Sequence, residues 1–183
     1  MSRSLQPHRL NMQAFAQDGA ALTETTLLQN MERLAHEAQG LQPDSVVKWE
    51  AIGELRPRPG AEDDVWLHLT AEASVPLTCQ RCMGTVTTPV EVNQWYRFVA
   101  NEEVAMAEDD QSEEDLLVME PQFDLLAVLE DELLMALPLV PMHEKCPVTP
   151  KLHAGDLGEP DAGKVSSEKP NPFAVLAQLK NKK

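Results

Sequence analysis

Val75-Pro-Leu-Thr-Cys-Gln-Arg-Cys-Met-Gly-Thr-Val86 sets a C-x-x-C turn between two runs that alternate apolar and polar residues. Upstream, Val65, Leu67, Leu69, Ala71, Ala73 and Val75 take one face, and Trp66, His68, Thr70, Glu72 and Ser74 take the other. That period of two predicts a half-buried strand over 65–76. Downstream, Val86, Thr88, Val90 and Val92 lead into Gln94-Trp-Tyr-Arg-Phe98, a second strand over 85–99 with Pro89 at an edge position or a bulge. The pair forms a hairpin whose tip presents both thiols, with Gly84 expected to supply the positive φ of the knuckle.

Two thiols at this spacing can share one tetrahedral zinc, and His143-Glu-Lys-Cys146 offers a second pair of donors. Pro138 and Pro141 extend the chain before His143 and return it toward the hairpin tip. The candidate ligands of one zinc ion are therefore Cys79, Cys82, Cys146 and His143. A lone C-x-x-C is otherwise two ordinary thiols. A redox dithiol is the competing reading, although that chemistry usually opens a helix after a strand in a βαβ setting. Nucleophilic catalysis by cysteine finds no support beside a turn with only Arg81 near it. His8, His36, His68 and His153 are isolated from other donors.

Outward from the hairpin, Val46–Arg56 alternates as a third strand, after the turn Pro43-Asp44-Ser45 and before the loop 57–64. Thr23 is read as the N-cap of a helix over 24–38, with Leu27, Leu28, Met31, Leu34, Ala35 and Ala38 at helical spacing up to Gly40. Residues 1–22 are an arm or edge strand. Asp124 caps a helix over 124–137, with Leu126, Leu129, Leu133 and Leu137 as its stripe and Pro138 as its stop. Residues 100–120 hold too few apolar anchors to pack and are expected to be a mobile acidic loop. Pro147–Pro170 reads as a linker. Within it, Gly158–Val165 fails as a phosphate loop because Val165 lacks the hydroxyl and no strand precedes it. A terminal amphipathic helix follows Asn171 and Pro172.

The fold class is therefore α+β: an antiparallel sheet packed by two main helices, with an acidic loop insertion and a C-terminal helix. Residues 1–147 form one domain, and 148–183 form the linker and terminal helix. The net charge is −15 over 183 residues. Fourteen of the thirty acidic residues, and no Lys or Arg, fall between 98 and 144. Such a field disfavours sequence-independent nucleic-acid binding and favours basic proteins. The candidate partner surface is Glu108, Asp109, Asp110, Glu113, Glu114, Asp115, Glu130 and Asp131. Acid/base catalysis by Glu130, Asp131 and Glu132 is disfavoured because adjacent helix positions point apart. Three cysteines and no secretory apolar run predict a cytoplasmic protein, and no stretch is long enough to span a bilayer.

Leu77-Thr-Cys-Gln-Arg-Cys82, Phe123-Asp-Leu-Leu-Ala-Val-Leu-Glu-Asp-Glu-Leu133, Ala136-Leu-Pro-Leu-Val-Pro-Met-His-Glu144 and Lys169-Pro-Asn-Pro-Phe-Ala-Val-Leu176 together resemble the bacterial YceD family of large ribosomal RNA subunit accumulation proteins. The likeness runs from about residue 65 onward. It implies a role in synthesis, processing or accumulation of large-subunit ribosomal RNA, with no established enzymatic activity. Some members carry an additional cysteine where this chain has Thr149, which leaves His143 as the fourth ligand. The readings from other classes are a metal- or redox-responsive regulator using the C-x-x-C turn and a plain acidic adaptor for a basic partner.

Overall fold

The computed structural model describes residues 5–60 and 62–148. Five strands form one sheet in the order β1 (Ala21–Leu27), β2 (Val46–Arg56), β3 (Asp64–Thr78), β4 (Thr85–Val99), β5 (Asp115–Val118). The first three pairings are antiparallel, and β4 pairs with β5 in parallel. The sheet is thus mixed, where the sequence predicted an antiparallel one.

The departure arises in the acidic segment. A parallel neighbour needs a crossover, and residues 100–114 supply it as a helix, α3 (Glu102–Glu108), and a 3-10 turn. Asn101 caps α3 by accepting from the Val104 N–H at 2.9 Å. The stretch read as a loop is therefore built into the sheet. What holds it is the guanidinium of Arg97 on β4, a residue only 7 % exposed as a whole. It donates to Glu108 at 2.7 Å, Glu114 at 2.6 Å and Ser112 at 2.8 Å. Apolar anchors are few, as the sequence indicated, and charged hydrogen bonds take their place.

Strand alternation sorts the two faces. Val65, Leu67, Leu69, Ala71, Val75 and Leu77 of β3 are buried on the inner face, opposite Tyr96 and Phe98 of β4. Two helices pack on that face, α1 (Met12–Gln17) and α4 (Leu125–Met135), and a third, α2 (Glu32–Glu37), packs against α4. A Cβ at Gly53 would lie 2.5 Å from the Phe15 ring, so only glycine on β2 lets α1 settle this closely. Asp124 caps α4 as expected, accepting from Ala127 N–H at 3.0 Å. Leu125, Leu129 and Leu133 are its fully buried positions, and Leu126 and Leu137 lie at the border. The outer face carries Lys48, Glu72 and Glu91 in one cross-strand row, and Glu50, Thr70 and Asn93 in the next.

The helix read over 24–38 is three elements. Residues 21–27 pair with β2 as an edge strand, a 3-10 turn spans 28–30, and α2 begins only at Glu32. Thr23 is a strand residue and not a cap. Its neighbours Thr25 and Thr26 are β-branched, which favours extended backbone. Leu28, Met31 and Leu34 are buried across the turn and α2, so their spacing imitates a single longer helix. Residues 169–180 and the linker beyond Val148 lie outside the described residues. Among the described residues, no helix is long and apolar enough to cross a membrane.

Candidate metal centre

The β3–β4 turn is closed by Cys79 N–H donating to Gly84 C=O at 2.8 Å and Met83 N–H donating to Cys79 C=O at 2.9 Å. The positive φ expected at Gly84 falls on Met83, at 60°. Met83 is 67 % exposed, so its side chain stands free of the knuckle while its backbone makes the turn. Beyond α4, the chain returns to this tip, where Gln80 N–H donates to Pro141 C=O at 2.9 Å.

That return brings all four predicted ligands together. One donor atom from each of Cys79, Cys82, His143 and Cys146 lies within 4.8 Å of every other. Cys79 Sγ is 4.0 Å from Cys146 Sγ, and Cys82 Sγ is 3.5 Å from His143 Nδ1. A tetrahedral zinc with Zn–S bonds of about 2.3 Å separates its sulfurs by roughly 3.8 Å, so the spacings fit. The imidazole is oriented by Thr85, whose carbonyl lies 3.0 Å from Nε2. A carbonyl only accepts, so Nε2 carries the proton and Nδ1 is left as a ligand facing the thiols.

The thiols themselves point the same way. Burial opposes ionisation of Cys79, but the backbone N–H groups of His143, Cys82 and Arg81 outweigh it and bring the thiol down to about 5. Burial pushes Cys146 up to about 11, and the neighbouring Cys82 and Cys79 add to that rise. One thiolate is stable here and another is opposed. A divalent cation held between these two sulfurs would favour the thiolate of both.

The predicted partner surface is divided by the fold. Glu108 and Glu114 bind Arg97, Glu108 also meets Arg58 at 3.2 Å, and Asp115 accepts from Gln94. Glu130 accepts from the backbone N–H groups of Arg33 at 2.8 Å and Leu34 at 3.1 Å, capping α2 from α4. It also pairs with the Arg33 side chain at 3.0 Å, which Asp131 joins. Asp109, Asp110 and Glu113 are exposed and form no ion pair among the described residues. Four of the eight predicted surface acids are thus paired internally, with arginines that lie on β4, α2 and the β2–β3 loop. Sequence reading missed Arg97 and Arg33 in these roles, although Arg97 stands in an otherwise apolar stretch of β4.

A second cluster was also missed. On the outer face, His68 stacks on Trp95 with centroids 4.1 Å apart, and the Arg56 guanidinium lies 4.0 Å from the Trp66 ring and 4.2 Å from that of Trp95. These groups cover one another, leaving the Lys48 and Glu50 rows as the open part of that face.

The family model for "Large ribosomal RNA subunit accumulation protein YceD" matches residues 67–180, a span that contains all four cluster residues. A curated relative of the same name from Haemophilus influenzae is 41 % identical over 121 residues, covering 61 % of this chain and 63 % of the relative. The chain thus spans less than two thirds of that relative's length. No solved structure matches. On the family match, which starts within β3 and leaves β1, β2, α1 and α2 outside it, the chain belongs to the YceD family of large ribosomal RNA subunit accumulation proteins.

Proposed function

We propose that this protein is a non-catalytic factor for the accumulation of large-subunit ribosomal RNA, acting by binding basic proteins of the assembly pathway. In this reading Cys79, Cys82, His143 and Cys146 hold one structural zinc. The observation that carries it is the closed donor set: four protein ligands fill a tetrahedral ion and leave no position for a substrate. The ion would tie the segment after α4 to the β3–β4 tip and fix the turn against the body of the sheet. It would supply folding energy and no chemistry.

The partner class follows from charge. A chain of net charge −15 attracts basic proteins and repels phosphate. Asp109, Asp110 and Glu113 extend this field outward, while the paired acids keep the crossover in place. Association should be steered, slowing as salt rises and the Debye length contracts to about 8 Å.

The test compares ribosomal RNA precursors and subunit profiles in cells with and without the protein. The expected result is a deficit of large-subunit RNA that the intact gene restores. Unchanged subunit profiles would refute the role.

A further inference from the structure

Among the described residues, β1 ends the sheet with an uncovered edge whose one charged side chain is Glu24. Gly53 N–H donates to Ala20 C=O and Leu28 N–H donates to Ser45 C=O, each at 2.9 Å. In this register the even-numbered residues of β1 bond to β2, so Ala21, Thr23, Thr25 and Leu27 point their N–H and C=O groups away from the sheet. Those groups have no backbone partner among the described residues. Exposed edges are ordinarily blunted by charged side chains, above all lysine, by proline or by a bulge. Ala21-Leu-Thr-Glu-Thr-Thr-Leu27 has neither lysine nor proline, and its pairing with β2 runs without a bulge from Ala21 opposite Ile52 to Leu27 opposite Val46.

Charge flanks this edge on both faces. On the outer side, Thr23 Oγ1 donates to the Glu50 carboxylate at 3.0 Å and holds it over the edge strand. On the inner side Glu24 is exposed, with no ion pair among the described residues. An open groove of about 510 Å³ starts at the edge and crosses the outer face past Thr70. Glu72 and Glu91 stand directly opposite one another there, an unfavourable like-charge pair. Lys48 faces Glu72 across the strands but makes no ion pair among the described residues.

We propose that the free edge of β1 docks an extended segment of a basic protein as a sixth strand, its main chain bonding Thr23 and Thr25 and its Lys or Arg side chains meeting Glu24 on one face and Glu50 on the other. The proposal deepens the reading above, on which it rests, by giving the basic partner a place. A second copy of this chain is a poor occupant. Full antiparallel pairing of β1 with itself sets Glu24 against Glu24 of that copy, a directly opposed like-charge pair.

The test is fluorescence anisotropy of the full chain with a labelled peptide of alternating Arg and Thr, against the same peptide with Gln for Arg. Thr25→Pro removes an outward N–H while sparing the bonds to β2, a substitution edge strands tolerate. It should weaken binding at least about tenfold. The combined D109N, D110N and E113Q variant should weaken it by less than about threefold, since remote charge acts mainly on association rate. In the wild type, peptide should slow amide exchange at Thr23 and Thr25, and that readout decides if Thr25→Pro does not fold. Equal binding of the Arg and Gln peptides would overturn the basic-partner reading itself. Preference for Arg with unaltered Thr23 and Thr25 amides would overturn the edge alone and leave that reading standing. A dimer dissociated by Thr25→Pro would overturn it by placing a second copy on the edge.

Discussion

Arg97→Ala removes the cation that fastens the acidic crossover to the sheet. The side chain is 9 % exposed, against 29 % for its partner Glu108 and 19 % for Glu114. Removing one member of a fully buried pair costs roughly 3–5 kcal/mol, whereas an exposed pair contributes about 0–1 kcal/mol. With two partly shielded carboxylates left behind, the loss should be about 2–3 kcal/mol. For a chain of this size that corresponds to a fall in Tm of roughly 4–12 °C. Urea unfolding monitored by tryptophan fluorescence reads this directly, since Trp66 sits opposite Arg97 across the β3–β4 pair. In the cycle with Glu114→Gln, the double variant should cost less than the sum of the singles. A change below about 0.5 kcal/mol, the range of ordinary surface substitutions, would show that the crossover is not fastened through Arg97.

Stability should also fall on the acid side. Hydrogen bonds from Arg97 and then Arg58 hold Glu108 below the usual carboxylate range; burial raises Glu114, but Arg97 and the backbone N–H groups of Glu114 and Glu113 together outweigh it and hold it low as well. Both folded values lie below the unfolded ones, so the stabilisation is complete above the ordinary glutamate range and is lost as pH falls through the depressed folded values. Urea midpoints measured from neutral pH down to about pH 3 should show an acid-side decline that is shallower in Arg97→Ala; equal slopes would contradict the pairing. Leu133→Asp places a charge at a fully buried position of α4, at a cost above about 4 kcal/mol. Circular dichroism should then show a missing or strongly shifted transition, and a wild-type midpoint would mean that this helix face is not buried.

Where one periodicity governed a whole segment, the sequence was legible. The β3–β4 hairpin and α4 follow from alternation, from the Leu129 and Leu133 spacing and from the Asp124 cap. The segment around Thr23–Leu34 was misread because Leu28, Met31 and Leu34 keep helical spacing across a strand end, a 3-10 turn and a short helix. The β-branched run Thr25-Thr26 carried the contrary signal. The acidic crossover was misread for another reason: its apolar content is low, and its anchor is a cation on another element. Local composition cannot register a partner that only the tertiary fold brings near. The four candidate metal ligands were legible from donor type and from the prolines that turn the chain back. Thr85, which orients the imidazole through its carbonyl, left no trace because a backbone group acts whatever its side chain.

Native mass spectrometry of the purified full chain, before and after a zinc chelator, tests the closed site most directly. The expected spectrum shows one zinc per chain, lost on chelation together with a fall in melting temperature, and absent from the Cys79→Ser variant. A metal-free protein whose three thiols all react with alkylating reagent in the folded state, and whose melting temperature ignores both zinc and chelator, would contradict the account.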